Sequence, residues 1–413
     1  MATVKPFRGL RPQPQLAAEV AALPYDVMNS REARVMAAGK PHSFLHVSRA
    51  EIDLPENVDV HSQQVYDKAR DNFKKFIAEG ILFQDDTPCY YLYAQTMNGR
   101  RQAGFVGCSA VEDYYNNIIK KHEFTRPEKE EDRIAHMKAV SAHVGPIFLT
   151  FQPNEKLRLL AAETLATAPV YDFVAEDGIR HQFWVISDAE KVAGIETIFS
   201  REVPFTYIAD GHHRTASAAR VGTQLKNENA RHTGKEEYNF FLSVLFAADE
   251  LAIMDYNRVV KDLNGLSDDN FLQRAGEKFS IEKISASENR PQKLHEITMF
   301  FNQQWYRLVS LEGTFENTPI GVLDVSILQQ NLLSPVLGID DPRTNNRIEF
   351  VGGIRGLGEL EKRVNSGEMT VAFALYPVSL QQLIDIADSG EVMPPKSTWF
   401  EPKLRDGLVS HLF

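Results

Sequence analysis

Only two cysteines, Cys89 and Cys108, occur in 413 residues. They form no C-x-x-C pair, so a zinc ribbon, a dithiol redox motif and a disulfide scaffold are excluded. Both are expected as reduced, half-buried thiols. No apolar run approaches the ~18 residues of a membrane-spanning helix, and no secretory signal is expected over Met1 to Leu10. Positive charge is also short, with 45 Lys and Arg against 56 Asp and Glu, a net charge of −11. Such a surface repels nucleic acid and anionic membranes, so neither is expected as a partner and the expected setting is the cytoplasm. No G-x-x-x-x-G-K-[ST] loop or protein-kinase motif set is present. Gly352-Gly353-Ile354-Arg355-Gly356 lacks the G-x-G-x-x-G spacing of a dinucleotide loop.

What remains is ordinary globular composition, 43% hydrophobic and 24% charged, over a length that suits two or three domains of ~150 residues. Periodicity reads Ser43–Val47 as a strand and Ser62–Ala78 as a helix stopped at Gly80. Strands are expected at Cys89–Thr96 and Arg101–Val111, joined by the Asn98-Gly99 hairpin turn. A helix is expected over Glu128–Ala142 and a strand over Ile147–Phe151. Val170–Val174 and Arg180–Ile186 read as a second hairpin turned at Asp177-Gly178. A helix at Ala189–Ile198, a strand at Phe205–Ala209 and a helix at Thr215–Leu225 follow. Phe240–Phe246 and Leu251–Met254 are expected to form another hairpin. Beyond Leu263 helices alternate with strands, at Asp268–Phe279, Leu323–Leu333, Arg355–Val364 and Ser379–Ala387 for helices, and Trp305–Leu311, Ile348–Val351 and Thr370–Leu375 for strands. The change of pattern places a boundary near residue 260.

The chemistry concentrates at Asp210-Gly211-His212-His213-Arg214, between a strand ending at Ala209 and an alanine-rich helix beginning about four residues later. Gly211 can take a positive φ and let backbone approach a ligand. Free N–H groups at a helix start favour an anion, and Arg214 can hold phosphate through two parallel hydrogen bonds. Asp210 could bind magnesium or accept a proton. His212 and His213 can donate to phosphate oxygens or shuttle protons. In Lys120-Lys121-His122-Glu123-Phe124-Thr125-Arg126-Pro127, the metalloprotease pattern His-Glu-x-x-His fails at Arg126, and Pro127 breaks a helix there. Lys129, Asp132 and Arg133 then share one helix face. Pro394-Pro395-Lys396-Ser397-Thr398, followed by Lys403, is a stiffened segment whose lysines and hydroxyls could line an anion site. Asp26, in Pro24-Tyr25-Asp26-Val27, could bind a metal or an ammonium group.

The Asp210–Arg214 segment resembles the signature of free serine kinases with the ParB/sulfiredoxin-like fold. Along most of its length the chain also resembles the bacterial and archaeal family labelled domain of unknown function 1015, some of whose members are assigned as serine kinases. The matching pieces are Leu23-Pro24-Tyr25-Asp26-Val27, His122-Glu123-x-Thr125 with Lys129 and Asp132-Arg133, Asp210 to Arg214, and Met393-Pro394-Pro395-Lys396-Ser397-Thr398. Thr215 stands where that pattern usually has an aromatic residue.

The fold expected is α+β. A mixed sheet core of ParB/sulfiredoxin-like type spans residues 1–260, and a C-terminal α/β region spans 261–413, its tail reaching back to complete the site. The resemblance implies a kinase acting on free L-serine, with Mg2+ and with pyrophosphate, ADP or ATP as phosphoryl donor. The catalytic set expected is Asp210, Glu123, His212 and His213, with Asp210 also the metal ligand. Gly211, Arg214, His122, Arg133, Asp26, Lys396, Ser397 and Thr398 are the expected substrate and phosphate contacts. A nucleotide-binding switch and a phosphatase or nucleotidase using the same loop are the competing readings, and a homo-oligomer is left open.

Overall fold

Strands β1 (Val4–Lys5), β2 (Tyr90–Met97) and β3 (Arg100–Ala110) start the main sheet. Asn98 and Gly99 both take positive φ, 52° and 78°, the hairpin turn that matches strand twist. In this computed structural model, which describes residues 1–413, β4 (Ile119–Lys120), β5 (Ile147–Phe151), β6 (Tyr171–Val174), β7 (Arg180–Ile186), β8 (Thr206–Asp210) and β9 (Phe240–Ala247) complete a nine-stranded sheet. Its order is β4-β8-β5-β9-β3-β2-β7-β6, with β1 on β3. β4 with β8 and β5 with β9 run parallel, and the other neighbours are antiparallel. Helices α1 (Gln63–Ala78), α2 (Pro127–Val140), α3 (Ala189–Glu202) and α4 (His212–Glu228) belong to the same unit. The molecule is α+β.

Central strands are apolar on both faces. Every residue of β2 from Tyr90 to Gln95 is buried, which requires cover on both sides of the sheet. One core cluster joins Leu92, Phe105, Leu149, Phe199, Ile208 and Leu245. A second, built on Phe44, Phe73, Phe76 and Val140, packs the helices around α1.

The chain forms two units, Met1–Leu251 with Pro402–Phe413, and Ala252–Glu401. The first therefore ends before residue 260 and takes back the last segment of the chain. The second carries a six-stranded sheet of β10 (Tyr256–Val260), β11 (Phe279–Ile284), β12 (Glu296–Phe301), β13 (Gln304–Ser310), β14 (Ile348–Gly352) and β15 (Val371–Ala374). The order is β11-β13-β12-β15-β10-β14, antiparallel throughout.

Several local expectations change. Ser43–Val47 is no strand: Leu45–Ser48 is a helical turn, because a short apolar run buries equally well either way. Phe240–Phe246 and Leu251–Met254 form no hairpin. β9 pairs with β3 and β5, while Ile253–Met254 pairs with Trp399–Phe400. The helix at Asp268 ends at Gly276, and Phe279 opens β11 instead. Both cysteines are buried and free. No helix is long and apolar enough to cross a membrane.

Candidate functional site

No loop separates β8 from α4. Asp210 ends the strand, Gly211 caps the helix at φ 94°, and His212 opens it. The helix thus begins three residues earlier than Thr215, where the alanine pattern puts it. His212, His213 and Arg214 fill its first turn, which holds no acidic residue. The partial positive charge of the helix start is therefore left for Asp210 or for an anion.

Arg214 is buried inside this turn. Its Nη1 donates to the Pro146 carbonyl at 2.6 Å and its Nη2 to Asp210 Oδ2 at 3.3 Å. Its Nε is buried without a hydrogen bond. Burial pushes the guanidinium down, but the carboxylates of Asp26, Asp210 and Asp406 outweigh it and raise Arg214 above its ordinary value. Lys403 brings a second cation, with Nζ 3.6 Å from Asp210 Oδ2. Its own carbonyl accepts from Gln95 Nε2 at 2.8 Å, which ties the segment to β2.

The histidines are neutral at neutral pH. His122, just past β4, meets His212 edge to face with centroids 4.4 Å apart. Burial pushes His122 down to about 4 and His212 well below its usual value. His122 Nδ1 and His212 Nε2 are buried without a hydrogen bond. His212 Nδ1 lies 3.7 Å from Glu123 Oε2. His213 Nε2 accepts from the Arg126 N–H at 3.0 Å, and burial together with Lys129 lowers its affinity for a proton. An accepting Nε2 leaves the proton of the neutral ring on Nδ1.

Arg133, on α2, lies 3.9 Å above the Tyr25 ring and donates Nε to Asp132 Oδ2 at 2.8 Å. Asp132 also accepts from Tyr66 at 2.9 Å and contacts His61 Nδ1 at 2.8 Å. These bonds and Arg133 hold its carboxyl below the usual range despite burial. Asp26 is exposed on the turn Tyr25–Val27, and its charge acts on both Arg133 and Arg214.

The first unit thus brings together Asp26, His122, Glu123, Arg133, Asp210, Gly211, His212, His213 and Arg214. Lys396, Ser397 and Thr398 belong to the second unit. There Lys396 takes φ 58° and its Nζ lies 5.7 Å from the Tyr256 ring. Ser397 donates to the Pro394 carbonyl at 2.6 Å, and Arg258 Nη2 donates to the carbonyls of Pro395 and Lys396 at 3.2 and 3.0 Å. No three His, Cys, Asp or Glu side chains converge to hold a metal ion. Asp406, missed in the sequence, joins the first-unit group from the returning segment. The only trace it leaves is a charged pair, Arg405-Asp406, directly before Gly407.

A family model described as protein of unknown function (DUF1015) matches residues 4–326. The chain belongs to this family. No curated protein matches the DUF1015 chain. Among solved structures it is similar to a free serine kinase in complex with AMP, at 14% identity over 71% of this chain and 88% of that one, with a TM-score of 0.37. A conserved hypothetical protein from Pyrococcus furiosus shares 15% identity over 70% and 90% of the two chains, with a TM-score of 0.36. C-terminally truncated SbnI from Staphylococcus aureus shares 12% identity over 73% and 85%, with a TM-score of 0.40.

Proposed function

We propose that this chain transfers a phosphoryl group to the hydroxyl of free L-serine, with pyrophosphate or a nucleotide as donor. The observation that carries the reading is the Asp210–Arg214 turn. A left-handed glycine, an uncompensated helix start, a buried guanidinium and Lys403 are gathered around one carboxylate. Phosphoryl transfer asks a protein for this kind of positioning and charge stabilisation rather than for covalent chemistry. The choice of serine rests on the resemblance of Asp210–Arg214 to the free serine kinase signature.

The helix start, Arg214 and Lys403 hold the donor phosphates. Arg133, held by Asp132 and Tyr25, and the exposed Asp26 offer a cation and an anion, which suits the carboxylate and ammonium of a zwitterionic amino acid. The serine oxygen forms a new bond to phosphorus as the bridging P–O bond of the donor breaks. The hydroxyl proton passes to a carboxylate, Asp210 or Glu123. The residues fit a magnesium ion that arrives on the donor phosphates, because Mg2+ typically needs only one or two protein carboxylates. Asp210 is the carboxylate that would hold it, and the ion would supply neutralisation of phosphate charge. The neutral rings of His122 and His212 can offer N–H groups without adding charge.

The test is direct. Purified protein with L-serine, Mg2+ and each of pyrophosphate, ADP and ATP is expected to yield O-phosphoserine with at least one donor. Donor hydrolysis independent of serine would make the protein a phosphatase or nucleotidase. Donor binding without turnover would make it a switch.

A further inference from the structure

Asp406 has no task in the reaction as described, and its placement is specific. It is 2% exposed. Its N–H donates to the Ala22 carbonyl at 2.9 Å, and its carbonyl accepts from the Ala22 N–H at 3.1 Å. Its carboxyl lies against Gly145, where a Cβ would come within 2.9 Å of Oδ1. The next residue, Pro146, gives the carbonyl that anchors Arg214. The carboxyl is therefore packed one residue from the point where the guanidinium is held. Asp406 Oδ1 is buried without a hydrogen bond, as is Arg214 Nε.

The charged groups whose fields reach Asp406 are Arg214 from α4, Arg133 from α2, Asp26 from its turn and the adjacent Arg405, and Asp406 acts in turn on the Tyr93 hydroxyl of β2. Burial pushes its carboxyl up to about 7 against the pull of Arg214. Three carboxylates, Asp26, Asp210 and Asp406, thus act on one buried guanidinium. An incoming phosphate adds negative charge beside these three carboxylates and competes with them for the cations Arg214, Arg133, Arg405 and Lys403. Asp26 is exposed and shielded by water, and Asp210 has Arg214 and Lys403 at its oxygens. Asp406 is the member whose charge is most costly to keep.

We propose that Asp406 is the charge-compensating residue of this site: when a phosphate-bearing anion binds at Arg214, the Asp406 carboxylate takes up one proton from solvent and ceases to repel it. A proton adds to a carboxylate oxygen, and no other bond forms or breaks. The inference rests on the proposed function only in placing the donor at Arg214.

The experiment is calorimetric titration of the full-length protein with inorganic pyrophosphate at pH 7.5, in two buffers of different ionisation heat, for the native protein and Asp406→Asn. Protonation of pyrophosphate itself is common to both and cancels in the difference. The native protein is expected to take up about half a proton or more in excess of the variant. The variant is expected to bind about three- to tenfold more tightly at pH 8.5, and equally at pH 6. Equal proton counts and equal affinities would overturn the inference while leaving the donor site standing. Failure of the native protein to bind pyrophosphate, ADP or ATP would overturn both. A ligand-free control keeps a poorly binding variant informative. Urea unfolding should show the native protein losing stability between pH 5 and pH 8 relative to Asp406→Asn, and parallel curves would also overturn the inference.

Discussion

Replacing Gly211 by alanine tests the turn on which the site is built. Gly211 sits at φ 94°, where a Cβ is strained whatever the space around it. Left-handed backbone costs an L-residue about 1–2 kcal/mol, and alanine is a poor helix cap, adding about 0.5 kcal/mol. The new Cβ would also stand 3.3 Å from Arg214 Nε and 3.4 Å from Nη2. The guanidinium can yield only by loosening its 2.6 Å bond to Pro146 or its 3.3 Å contact with Asp210. Gly211→Ala is therefore expected to lose about 2 kcal/mol in urea unfolding, and to raise the donor KM with less change in the KM for serine. Arg214→Lys alone should also raise the donor KM, because a lysine cannot hold the Pro146 carbonyl and Asp210 at once as the guanidinium does. If both act through one guanidinium, the double variant should fall short of the summed effects by at least about 0.5 kcal/mol. A Gly211→Ala protein with native stability would refute the strain argument. Strictly additive KM effects would refute the route through Arg214.

Asp210→Asn keeps the size and loses the charge; it should leave circular dichroism unchanged and cut phosphoserine formation about 10²-fold or more, and activity above a tenth of native would remove Asp210 from the chemistry. Lys403→Ala should raise the donor KM in a folded protein, whereas deleting residues 402–413 should unfold the first unit, because Leu404, Leu408 and Val409 are buried in it, a difference that urea unfolding reads. His122 titrates near 4 when folded against 6.5 when unfolded, so its contribution to stability is full above pH 6.5 and drains away as pH falls from 6.5 towards 4. The loss is of order 3 kcal/mol, and His122→Asn should therefore show a flatter fall in stability between pH 7 and pH 4.5.

Much of the sheet was legible because its signals are local. Asn98-Gly99 and Asp177-Gly178 mark hairpins, and the runs around them alternate or stay apolar as strands must. The Asp210–Arg214 cluster was legible for a different reason, since four polar residues and a glycine between two apolar elements have few structural uses. Its exact setting was not. Polar His212-His213-Arg214 reads as loop, yet a glycine in the left-handed region lets the helix start at once. Pairings far apart in the chain were hidden. β9 lies between β3 and β5, and nothing in Phe240–Ala247 names those neighbours. Asp406 was invisible for the same reason. A single carboxylate acquires meaning only when Gly145 and Arg214 are seen beside it.

The return of residues 402–413 to the first unit has a consequence for how the protein is made. Residues 252–401 are translated between the two parts of that unit. The core of the first unit stays incomplete while the ribosome is still adding the second, because Leu404, Leu408 and Val409 are yet to come. Lys403 and Asp406 arrive only afterwards. A chain interrupted anywhere in the second unit would then carry the Asp210–Arg214 turn but lack the lysine at its carboxylate and the buried aspartate behind its arginine. Nonsense fragments and chains clipped near the end would be inert rather than partly active, and competence at the site would appear only once both units have been synthesised.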